Sequence, residues 1–236
     1  MALTKIDISM LEDIPAPGSS GQVIKSDGTN WTSGADAGLP AAGADGQLLT
    51  SDGTNWASEA AAGGGMHTQI GSTQTLTGQG SCNFEGNFTS TYKTYLIRLE
   101  NVTVSTNSAF IYLRVGIGDP TVYQTGSSYQ WHGDRKKGSS GTHEHYNWNV
   151  GTYMRVSDGV QQNTADCVAH FEIYIYNPAS TATKTLIRSI GMTHDGTDEH
   201  HHITGGAYKL ATAVTAIKLY PTSGTFSGTF KLYGLS

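Results

Sequence analysis

The stretch Cys167-Val168-Ala169-His170-Phe171-Glu172-Ile173-Tyr174-Ile175-Tyr176 decides the fold class. In an extended chain Cys167, Ala169, Phe171, Ile173 and Ile175 share one side, and His170, Glu172, Tyr174 and Tyr176 share the other. A period of two with one apolar side is the pattern of a half-buried antiparallel strand. The same pattern recurs at Ile111, Leu113, Val115 and Ile117 against Tyr112 and Arg114. Further strands are expected over Tyr92 to Val104, Lys184 to His194, Gly206 to Leu210, Val214 to Tyr220 and Thr225 to Leu235. Between Leu99 and Val102 the parity slips, which calls for a bulge near Asn101. No convincing helical period occurs, so the expectation for residues 66–236 is an antiparallel β-sandwich, jelly-roll-like, of about eight to ten strands.

Composition agrees with an all-β chain. Of 236 residues, 37% are apolar and 30 are glycine, enough apolar surface for one core and enough glycine for many turns. Large apolar side chains are sparse before residue 65 and dense after it, so a thin N-terminal part precedes a globular C-terminal part. The formal net charge of -5 and the short, isolated Arg135-Lys136-Lys137 cluster give no field that would hold a polyphosphate backbone, which argues against nucleic acid as a partner. The opening MALTKIDISMLEDIP places acidic groups where a signal needs an apolar run, and no run approaches the roughly 20 residues of a membrane helix. Neither a classical secretion signal nor membrane insertion is expected. Cys82 and Cys167 lack any CxxC or zinc-type spacing and read as two small buried hydrophobes.

The thin part carries a repeat. GQVIKSDGTNW at Gly21 to Trp31 returns as GQLLTSDGTNW at Gly46 to Trp56, with eight of eleven positions identical. Each copy reads as a short apolar pair (Val23-Ile24, Leu48-Leu49), an Asp-Gly turn and a returning Trp, which is a small β-hairpin. One such hairpin buries too little to be stable in water, and two copies are fewer than a solenoid needs. The missing partners are expected from other chains, giving a homotrimer in which Trp31 and Trp56 are mutually buried and the open strand edges are paired. ADAGLPAAGAD and ASEAAAGGG read as spacers. Ahead of them Ile6, Ile8 and Met10 alternate with Asp7 and Ser9 until Pro15 and Pro17. The expected organisation is therefore an attachment segment (1–17), a hairpin-repeat shaft or collar (18–65) and the sandwich head (66–236).

The two SDGTNW copies resemble the GQ-x-L-x-SDGT-x-W segments in the shafts and collars of tail fibres and other structural proteins of tailed phages. The ending, Ala216-Ile217-Lys218-Leu219-Tyr220 through Ser223-Gly224-Thr225-Phe226-Ser227-Gly228-Thr229-Phe230-Lys231-Leu232-Tyr233-Gly234-Leu235, is similar to the closing strand pair of phage fibre heads, which finish in LYG. Together they cover about a fifth of the chain. The resemblance implies a trimeric virion protein, assembled in the host cytoplasm. Its N-terminus would dock on the phage tail or an adaptor, and its head would attach to a host envelope glycan or outer-membrane protein. A head fibre or capsid decoration protein is the alternative.

An envelope polysaccharide depolymerase is a third reading, and the residues speak against it. Paired carboxylates, a Ser/His/Asp set or a long β-helix repeat for a substrate groove are not apparent. Asp195, Asp198 and Glu199 fall in a polar turn, where Asp serves the turn. Gly116 to Pro120, GIGDP, lacks a following Lys or helix and is a turn, not a phosphate loop. No enzymatic activity and no cofactor are expected.

Host contact is expected on the stretch from Tyr129 to Tyr153, read as a mobile tip, Gly133 to Gly141, held between aromatic-rich arms. Trp131, Tyr146 and Trp148 supply rings for the apolar faces of sugars, and Asp134 and Glu144 accept hydroxyl hydrogen bonds. Arg135, Lys136 and Lys137 would meet anionic envelope groups, with His132 and His143 flanking them in the receptor-binding stretch. Trp131 and Trp148 have core packing as the competing account. In Glu199-His200-His201-His202, alternation puts His200 and His202 on one side and His201 on the other. His200 and His202 are weak candidates for a metal gathered on a threefold axis; hydrogen-bonded or solvent-facing histidines are the stronger reading, and no metal is expected.

Overall fold

The computed structural model describes residues 22–26, 31–35, 47–51, 56–60, 66–157 and 167–236. The chain divides into two compact units, Met1–Gly64 and Gly65–Ser236. In the first, β1 (Gln22–Ser26) pairs antiparallel with β2 (Trp31–Ala35), and β3 (Gln47–Ser51) with β4 (Trp56–Ala60). The register is the same in both copies, with Trp31 opposite Ser26 and Trp56 opposite Ser51. The Asp-Gly turns and residues 1–17 lie outside the described residues, as do the side chains of Trp31 and Trp56.

The second unit contains β5 (His67–Gln79), β6 (Cys82–Glu85), β7 (Thr94–Val104), β8 (Ile111–Ile117), β9 (Val122–Tyr123), β10 (Tyr129–Lys137), β11 (His143–Gly151), β12 (Met154–Arg155), β13 (Ala169–Tyr176), β14 (Thr185–His194), β15 (Glu199–Tyr208), β16 (Ala216–Pro221) and β17 (Phe226–Leu235). No helix occurs among the described residues, hence none long and apolar enough to cross a membrane. Every pairing is antiparallel. One sheet has eight strands in the order β11-β10-β15-β14-β13-β7-β17-β5; the other runs β12-β8-β16-β6, with β9 on β8. These thirteen strands exceed the eight to ten expected from alternation.

Alternation does place the core. Phe171, Ile173 and Ile175 of β13, Leu113 and Val115 of β8, Ile217 and Leu219 of β16, and Phe230 and Leu232 of β17 belong to one buried cluster fed by both sheets. Tyr129 ties the sheets with a polar contact as well: its hydroxyl accepts the Val115 N–H at 2.9 Å and donates to the Gln124 carbonyl at 3.1 Å. Both cysteines are buried and neither is in a disulfide, and burial pushes the Cys82 thiol up to about 12.

The slip in β7 is a bulge. Pairing with β13 jumps from Leu99 to Val102, and Asn101 sits at φ 52°. Asn tolerates that left-handed conformation, and the extra residue returns Val102 and Val104 to the core side. Opposite it, Gly228 at φ 147° lies where a Cβ would stand 2.9 Å from Val102.

Since the strands and the shared core of the second unit are internal to it, residues 65–236 expressed alone should fold. A β-type circular dichroism spectrum with a cooperative melt is the expected result; an unfolded spectrum would contradict it.

Candidate functional site: the outer face of the large sheet

On β14, Thr185, Ile187, Ser189 and Thr193 point inward, leaving Leu186, Arg188 and Met192 exposed on the outer face. On β15 the inward residues are His200, His202 and Thr204, and Ile203 and Gly205 lie outside. On β10, Tyr129 and Trp131 point in, and Gln130, His132, Asp134 and Lys136 point out. A shallow trough of about 500 Å³ runs over this outer face, walled by Gln130, His132, Asp134, Tyr176, Leu186 and Arg188. Its floor is the run Gly205-Gly206-Ala207, where on the outer side Gly205 carries no side chain and Ala207 only a methyl, which leaves the depression between taller neighbours. A Cβ on Gly205 would stand 3.6 Å from the His132 ring, so the space above that residue is open. The mixture of an aromatic ring, aliphatic side chains, a carboxylate and a guanidinium around an open floor is the chemistry that holds polyhydroxylated ligands. A second depression of about 550 Å³ on the same face lies among Arg98, Glu100, His170, Glu172, Met192 and Glu199. There Arg98 and Glu172 are already paired at 3.0 Å.

The tip expected at Gly133 to Gly141 is corrected. Gly133 to Lys137 belong to β10, held between β11 and β15, and only residues 138–142 turn. Gly133 marks a close strand approach, because a Cβ there would meet Thr204 Oγ1 at 2.8 Å. The basic cluster is divided by this geometry. Arg135 is ion-paired with Glu144, which also accepts the Tyr146 hydroxyl, and these contacts, Tyr146 first, hold the Glu144 carboxyl below its usual range. Lys137 pairs with Asp198 at 2.8 Å, which raises the Lys137 ammonium and lowers the Asp198 carboxyl. Lys136 projects from the opposite side, so the three cations form no common patch.

The two tryptophans part company. Trp131 is 3% exposed and part of the core, with the Arg155 guanidinium 5.3 Å from its ring. Trp148 is 52% exposed on the edge strand β11, its indole N–H donating to the Val150 carbonyl at 3.0 Å. Of the residues chosen from sequence, His132 and Asp134 line the trough, and His143 joins Asp134 at its β11 side. Tyr146 is half-buried beneath the hairpin. Tyr176, Leu186, Arg188 and Gly205 escaped the sequence reading. For Tyr176, Leu186 and Arg188 the available signal was outward parity on expected strands; Gly205 falls just before the strand expected at Gly206 to Leu210, which the structure runs from Glu199 to Tyr208.

His200 and His202 do share one side, with His201 on the other. They are 2% and 0% exposed, so neither reaches a surface where another chain's imidazole would join it. His200 Nε2 bonds Asp195 Oδ2 at 2.9 Å and His202 Nε2 lies 3.0 Å from Thr193 Oγ1. Asp195 also accepts the backbone N–H groups of Thr197 and Asp198 at 2.9 and 2.8 Å, the turn role expected of it. Burial alone would raise its carboxyl, but these donors and His200 outweigh it and bring the pKa to about 2.

Comparison with protein-family models, with curated proteins and with solved structures finds no match. What the fold of the second unit defines is an all-β body whose two antiparallel sheets share one core. A shallow mixed polar and apolar trough marks the outer face of the larger sheet.

Proposed function

We propose that the chain is a tail fibre protein of a tailed phage and that its C-terminal unit is the receptor-binding head. The trough over Gly205 carries the assignment of the binding surface: His132, Asp134, Arg188 and Tyr176 surround an open floor. The SDGTNW repeats, each an antiparallel hairpin, and the LYG-terminated strand β17 support the fibre reading. In this reading the head is jelly-roll-like, the hairpins form a trimeric shaft, and residues 1–17 dock on the tail or an adaptor. The host ligand is an envelope glycan or an outer-membrane protein. The protein binds and does not cleave.

Light scattering should then give three times the 25.0 kDa chain mass, and labelled protein should bind cells of the phage's host without releasing reducing ends. A monomeric mass would remove the trimer, absence of cell binding would remove the receptor role, and release of reducing ends would turn the reading to a depolymerase.

A further inference from the structure

We propose that Asp134, His143 and His145 form a binding site for a divalent transition-metal ion of the zinc class. His143 and His145 are two residues apart on β11, so both rings leave the same face of the strand, with centroids 4.3 Å apart. Asp134 is the residue of β10 directly opposite His145 in the register, and its carboxylate contacts His145 Nδ1. The same Asp134 oxygen stands 3.8 Å from His143 Nε2. One donor atom from each of the three side chains lies within 4.8 Å of the others.

A zinc-type ion needs donors about 2.1 Å away. Three atoms at these spacings reach that distance by small rotations of exposed imidazoles. Two imidazole nitrogens and one carboxylate oxygen favour zinc, nickel, cobalt or copper over calcium and magnesium, which take oxygen ligands. β11 is the edge of the sheet and all three side chains touch solvent, so the ion has an open approach and the remaining coordination positions fall to water. Lys136 lies opposite His143 on the same face and opposes the ion by its charge, but its exposed ammonium is free to swing away. Bound metal would clasp the edge strand to β10 at one margin of the trough, of which Asp134 is a wall. The site stands whether or not the trough binds a receptor.

The test is calorimetric titration of zinc chloride into the untagged full chain after chelator treatment, with elemental analysis of the product. One ion per chain is expected. His143→Ala, His145→Ala and Asp134→Asn should each weaken uptake roughly tenfold or more, since even outer partners of metal ligands matter by 10–100-fold. His170→Ala, an exposed histidine on β13, should change nothing. Circular dichroism confirms that the variants are folded. No saturable uptake at millimolar zinc, or uptake unchanged in the His143→Ala, His145→Ala double variant, would overturn the proposal.

Discussion

Acidification from pH 7 towards pH 3 should strip the protein of several kcal/mol of folding stability, with the decline beginning near pH 6.5. His202 is fully enclosed between β14 and β10, and burial, reinforced by its neighbours His200, Arg135 and His201, depresses its imidazole to about 3. In the unfolded chain an imidazole protonates near pH 6.5. Between those values the unfolded state holds a proton that the folded state refuses, so stability is complete above about pH 6.5 and falls as pH drops towards 3. At about 1.4 kcal/mol per pH unit the full loss is on the order of 5 kcal/mol. Asp195 acts further down: its carboxyl, held at about 2, adds stability that is present above about pH 4 and lost below it. Urea unfolding midpoints from pH 8 to pH 4 check the upper limb. His202→Leu should flatten that limb while losing stability at neutral pH, because it leaves Thr193 Oγ1 without its partner in the core. A wild-type profile flat from pH 7 to 4 would show that His202 meets water more readily than its enclosure allows.

Gly206→Val should cost about 3 kcal/mol or more, whereas Gly205→Leu one position earlier should be tolerated. The two glycines face opposite sides of the sheet. A Cβ on Gly206 would stand 2.5 Å from the Gln130 carbonyl oxygen and 2.8 Å from Trp131 Cβ. Neither atom can rotate away, so β10 and β15 would have to part. The Cβ of a residue at 205 meets only the His132 ring at 3.6 Å, ordinary contact, and the rest of the side chain enters the trough. Thermal melts of the two variants measure the difference; equal destabilisation would mean that the space above Gly205 is not open.

The contrast between these neighbours shows what the sequence carries and where it falls silent. β13, β8, β14, β16 and β17 were legible because each sets apolar residues against polar ones at a period of two, the direct imprint of a sheet with one dry face. The bulge at Asn101 was legible as a break in that period. β5 was not, because it is an edge strand, mostly exposed along its length, and HTQIGSTQTLTGQ carries no apolar face. The β10–β11 hairpin was misread since Gly133, Gly138 and Gly141 around charged residues look like a loop. One of them is instead the point where Thr204 crosses close to the backbone, information that resides in a strand 71 residues away. The trough and the convergence of Asp134 with His143 and His145 depend on register between strands, which alternation within a strand does not specify. The histidines at 200 and 202 are hydrogen-bonded, one of the two roles expected for them, but not solvent-facing, because their parity with Thr204 and Tyr208 draws them into the core.

Competition for phage adsorption decides whether the trough over Gly205 is the host-binding surface we propose. Purified wild-type protein, added to host cells before the phage, should slow adsorption in proportion to dose. The Gly205→Leu variant, with an unchanged melt and unchanged oligomeric mass, should fail to slow it. Equal inhibition by the two proteins would contradict the claim and place the receptor contact on another surface.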